Sequence, residues 1–94
     1  MRELTIGELR YIDESVNPWK MQIHSKIENI EELPESVFQR MADLEKEFKD
    51  RFYEFYKKAV DEGTTLDSDQ LLKQFEESFV KEHPEFWDME ALLA

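Results

Sequence analysis

The 94-residue sequence has no cysteine, two glycines, three prolines and two histidines. Without thiols there are no disulfides, thiolate metal sites or cysteine nucleophiles. Two isolated glycines, Gly7 and Gly63, supply neither a glycine-rich phosphate loop nor a Gly-x-Ser-x-Gly elbow. No run approaches 18 apolar residues, and Met1-Arg2-Glu3-Leu4 leads into no apolar signal core. The expectation is a chain that neither spans a membrane nor carries a standard secretion signal. Strand signals are missing too, since no window alternates apolar and polar residues with β-branched enrichment. Cations are scarce, with 12 Lys+Arg against 23 Asp+Glu and a formal net charge of −11. Phosphate repels such a chain, which argues against nucleic acid and anionic lipid as direct partners. What remains is a single acidic, cytoplasmic domain over 1–94, whose 40% hydrophobic residues suffice for a small core.

What is present is helical. Thr5 and Glu8 fit a capping box, with Leu4 and Leu9 placed as its hydrophobic staple. Ile6, Leu9, Ile12 and Val16 continue the apolar stripe. Asn17-Pro18 reads as an N-cap followed by a first-turn proline, opening a second helix striped by Trp19, Ile23, Ile27 and Ile30. A long helix is expected from about Pro34 to Glu62, with Gly63 as its C-terminal stop. Val37, Met41, Leu44, Phe48, Phe52, Phe55 and Ala59 recur along it in steps of four and three. Glu45–Lys49, Glu47–Arg51 and Glu54–Lys58 are acid-first (i, i+4) pairs on its polar side. Asp67 with Gln70 caps a fourth helix striped by Leu71, Leu72, Phe75 and Phe79 and ending near Glu82. His83-Pro84 breaks it, and Pro84 opens a last short helix bearing Phe86, Trp87, Met89, Leu92 and Leu93. The fold class is therefore all-α, an elongated bundle of four to five helices built on the long central one.

That helix sets a length problem. About 28 residues span roughly 42 Å, whereas a compact chain of this size is only about 30–35 Å across. No proline or glycine between Glu35 and Glu62 supports a kink, so elongation or pairing with a second copy is expected. Phe48, Phe52, Tyr53, Phe55 and Tyr56 crowd nine positions and widen the apolar arc beyond what one neighbouring helix covers. Tyr53 and Tyr56 are candidate interface residues, because a tyrosine ring is apolar while its hydroxyl tolerates water.

Catalytic and metal signatures do not assemble. His24 and His83 lie far apart and match no zinc or di-iron spacing. Asp67-Ser68-Asp69 resembles the start of a calcium loop but lacks the glycine and terminal glutamate. The expectation is a non-enzyme with no cofactor and no metal.

Charge position is more telling than its total. Residues 1–33 hold 7 acids and 4 bases, residues 34–62 hold 8 and 6, and residues 63–94 hold 8 and 2, net −6. Glu76, Glu77, Glu82 and Asp88 surround Phe86, Trp87, Met89 and Leu93. Acids around apolar anchors suit a protein partner with a basic or apolar groove. The sequence thus points to an interaction module, whether adaptor, assembly chaperone or inhibitor. The alternative is a nucleic-acid mimic, possibly phage- or mobile-element-encoded, that inhibits a DNA- or RNA-binding protein by presenting carboxylates at phosphate-like spacing.

Overall fold

Both capping boxes form, and they fix where two of the helices begin. In a computed structural model, which describes residues 2–28 and 33–88, α1 spans Ile6–Glu14 and α2 spans Asn17–Ile27. The long α3 spans Glu35–Asp61 and α4 spans Ser68–Glu82. At the start of α1 the Glu8 amide donates to Thr5 Oγ1 (3.1 Å), and Glu8 Oε1 accepts from the Thr5 amide (2.9 Å). At the start of α4, Asp67 and Gln70 do the same at 2.9 and 3.0 Å. Each box satisfies two donors that the first helical turn leaves open.

Between α1 and α2 the structure corrects the expected cap. Asn17 is the first helical residue, and Val16 stands in the capping position with helical dihedrals (φ −86°, ψ −11°). Ser15 is also helical in its dihedrals, so the chain turns without the extended residue that a side-chain cap requires. Val16 is fully buried, and filling the core decides the geometry of this turn.

At its C-terminal end α3 stops as the glycine implied. Gly63 takes φ +77°, and its amide donates to the Val60 carbonyl while Thr64 donates to Ala59, each at 3.0 Å. This is the Schellman arrangement, whose left-handed residue is easiest for glycine. The helix has 27 residues, hence a length of about 40 Å. The molecule measures 49 × 25 × 18 Å, and its radius of gyration is 14.9 Å. A compact chain of this length has about 12 Å, so the fold is elongated, and α3 is the axis that makes it so.

Helices α1 and α4 pack on α3, and their apolar stripes meet in one core. At its centre are Phe48 and Phe52, both fully buried. The expected fifth helix is, among the described residues, a single 3₁₀ turn at Pro84–Phe86; Met89, Leu92 and Leu93 lie outside the described residues, as does Ile30. The turn delivers Phe86 inward. Its ring lies parallel to Phe48 on one contact (5.2 Å between centroids, 1°) and to Trp19 on the other (4.7 Å, 8°). Phe79 meets both Phe48 and Phe86 edge-on at 5.2 Å. The Trp19 indole N–H donates to the Phe86 carbonyl, so α2, α3 and the end of the described chain are joined through one ring. No helix among the described residues is long and apolar enough to cross a membrane.

Candidate functional site

An acidic surface offers a partner only those carboxylates that the fold does not use itself. Glu45 binds Lys20 (3.1 Å) and Lys49 (3.2 Å), and Lys49 also reaches Asp13 (3.3 Å). Glu47 forms an ion pair with Arg51 (3.7 Å) and faces His83 Nε2 at 3.1 Å, while His83 Nδ1 faces Glu85 at 3.2 Å. Glu82 pairs with Arg51, which ties the end of α4 to α3. The third expected helical pair, Glu54–Lys58, is not among the ion pairs of the described residues. These links hold α1, α2, α4 and the 3₁₀ turn to the long helix.

Glu8 is the most heavily engaged carboxylate. Arg2 grips it with two nitrogens at 2.6 and 2.9 Å, the Thr5 amide donates to it, and the Tyr56 hydroxyl donates at 2.9 Å. The Arg2 guanidinium, above all, holds its carboxyl well below the usual carboxylate range, with the Thr5 amide next. A carboxyl whose folded-state pKa is depressed adds stability above its unfolded pKa, near 4.5, and that stability disappears as pH falls through the folded value. Glu8→Gln is therefore expected to unfold more easily than the parent at pH 7 and to lose less stability between pH 5 and 3. Urea titrations at several pH values measure both slopes.

The structure places the residues grouped by sequence in different environments. Tyr56 is 4% exposed, with its hydroxyl 2.7 Å from Ser68 Oγ as well as bonded to Glu8. This corrects its reading as an interface residue: α1 and α4 close over it, and its polar tip is satisfied internally. Phe86, 1% exposed, is likewise a core ring and not a surface anchor, because the 3₁₀ turn points it between Trp19 and Phe48. Tyr53 is 38% exposed and lines a groove of about 370 Å³ with Arg2, Leu4, Leu9 and Lys57, the Lys57 ammonium 6.0 Å from its ring centre. Glu82 is spent on Arg51. Asp88 is exposed, and Met89 and Leu93 lie outside the described residues.

Glu76, Glu77 and Trp87 come together. With Lys73, Val80 and Lys81 they line a groove of about 570 Å³ on the outer face of α4. Residues 73, 76, 77 and 80 follow i, i+3, i+4, i+7 spacing, the stripe opposite Leu71, Phe75 and Phe79. Trp87 closes one end, 39% exposed and edge-on to Phe86 at 5.1 Å. The Phe86 ring against which it packs is itself buried in the core. Neither Glu76 nor Glu77 makes a hydrogen bond or ion pair among the described residues. Glu76 is half-buried, and burial alone pushes its carboxyl above the usual range. Sequence reasoning named Glu76, Glu77 and Trp87 and missed Lys73, Val80 and Lys81. The outward spacing of Val80 was the available signal.

Among the described residues no three His, Cys, Asp or Glu side chains converge to hold a metal ion. His83 packs tilted against Phe79 (4.7 Å between ring centres, 34°) and is held between two glutamates, which occupies both ring nitrogens. No protein-family model matches the chain, and no curated protein or solved structure shows significant similarity to it. The functional reading therefore rests on this chain's own residues.

Proposed function

We propose that this chain is a small acidic helical interaction module, an adaptor, assembly chaperone or inhibitor, that binds a protein partner through the outer face of α4 and Trp87. One observation carries the reading. In the groove on α4, Glu76 and Glu77 make no ion pair or hydrogen bond among the described residues and stand beside a half-exposed tryptophan that packs edge-on against Phe86. Tryptophan is among the residues that most often dominate interface energies. The pairing of Glu47, Glu82 and Glu85 with Arg51 or His83 weighs against the nucleic-acid mimic, since neighbouring cations offset part of the charge these carboxylates would present. Binding, not catalysis, is the activity proposed.

Affinity capture from the source cells tests it. Trp87→Ala is expected to lose the partner that the parent retains, with an unchanged thermal midpoint because Trp87 lies outside the core. The same proteins recovered by parent and variant would overturn the reading. Capture that persists in Trp87→Ala but vanishes steeply with salt would favour the mimic instead.

A further inference from the structure

Resting on the groove as the binding site, the partner's chemistry follows from what lines it. Glu76 and Val80 are one helical turn apart, about 6 Å along α4. Trp87 extends the apolar end. Lys73 precedes Glu77 by one turn and Lys81 follows it by one turn, so a cation flanks the acidic pair on each side. A groove of this kind accepts a positive charge at its centre and repels it at both ends. We infer that the α4 groove takes a helical segment of a partner protein that presents one isolated Arg or Lys to Glu76 and, three or four residues away, a large apolar side chain to Val80 and Trp87.

The spacing argument is direct. A helix lying along α4 repeats its own contacts every three or four residues, so a cation and an apolar residue at i and i+3 or i+4 meet Glu76 and Val80 together. A polybasic run fails, because its outer cations meet Lys73 and Lys81, and the repulsion supplies discrimination that attraction alone does not. The half-buried Glu76 carboxylate has lost part of its hydration with nothing among the described residues to replace it. A partner cation restores what burial removed.

Glu76→Gln separates folding from binding. A carboxyl pushed upward by burial holds its proton more tightly when folded, so its stability contribution declines as pH rises from the unfolded value through the folded one. Removing the charge is therefore expected to leave the fold at pH 7 as stable as the parent or more so. Any loss of binding in this variant is then not a loss of folding.

The experiment is a selection of displayed helical peptides on the full-length chain, followed by affinity measurements with Glu76→Gln, Trp87→Ala and, in the other groove, Tyr53→Ala. Enriched peptides are expected to carry one Arg or Lys with Leu, Met, Phe or Trp three or four residues away. They are expected to weaken about tenfold on Glu76→Gln and on Trp87→Ala, and to be unaffected by Tyr53→Ala. Peptides that need Trp87 but lack the cation, or bind Glu76→Gln equally well, overturn this inference and leave the groove standing as the site. Peptides insensitive to Trp87→Ala, or no enrichment at all, overturn the site itself.

Discussion

Phe48→Ala is expected to cost about 3–5 kcal/mol, the range for truncating a fully buried phenylalanine. Phe48 is 0% exposed and its ring meets those of Phe52, Phe75, Phe79 and Phe86, so four aromatic contacts open onto one cavity. The lining cannot collapse readily. Phe52 and Phe75 are fixed on the backbones of two packed helices, and Phe86 is held from its other face by Trp19. Domains of this length are stable by about 5–14 kcal/mol in total, so the substitution removes a large share. The thermal midpoint followed by circular dichroism should fall by about 12 °C or more, taking about 4–8 °C per kcal/mol. Phe55→Ala, at a half-buried position on the same helix, is the comparison, with a distinctly smaller drop. Equal effects would show that the core is not centred on Phe48.

Trp19→Ala is expected to be nearly as damaging, about 3–5 kcal/mol, and its consequences reach further along the chain. Trp19 stacks on Phe86 and donates its indole N–H to the Phe86 carbonyl, so one side chain supplies both the packing and the polar anchor of the 3₁₀ turn. Trp19→Phe separates the two roles. It keeps an aromatic face but leaves a buried carbonyl unpaired, which costs about 1–3 kcal/mol. The chain has two tryptophans, so both variants emit from Trp87 alone. In Trp19→Phe that emission should resemble the exposed component of the parent. In Trp19→Ala it should shift to longer wavelength at temperatures where α3 and α4 remain helical, because the turn is released before the bundle unfolds. Simultaneous loss of both signals would mean that the turn is no separate element and that Trp19 acts through the core alone. The link to function is direct, since Trp87 is placed by the residue before it.

The helices were legible because their determinants are local. A capping box needs only Thr5 and Glu8, or Asp67 and Gln70; a C-terminal stop needs only Gly63 with its left-handed backbone. The stripe over Val37, Met41, Leu44, Phe48 and Phe52 reports a side of α3, and that side is buried. The mistaken cap at Asn17 marks the limit of local rules: burial of Val16 outweighed the preference of asparagine for an extended capping position. Glu82 shows the same limit for charge. Its spacing made it one acid among eight in the last third, but Arg51 lies across from it on another helix, and the pairing removes it from the candidate surface.

By itself the sequence determined an all-helical, acidic, elongated chain. These follow from interactions within three or four residues, and from an α3 longer than a compact chain of this size is wide. Only the tertiary structure decided which side of each aromatic cluster faces inward. Tyr53 and Tyr56 differ by about 60° around one helix axis, but α1 and α4 cover Tyr56 and leave Tyr53 half-exposed. Phe86 and Trp87 are neighbours in the chain, yet a single 3₁₀ turn sends one between Trp19 and Phe48 and leaves the other at the edge of the groove. Periodicity gives a direction around a helix axis, whereas burial depends on what stands in that direction. That is set by packing between residues distant in sequence, as the contact between Trp19 and Phe86 shows.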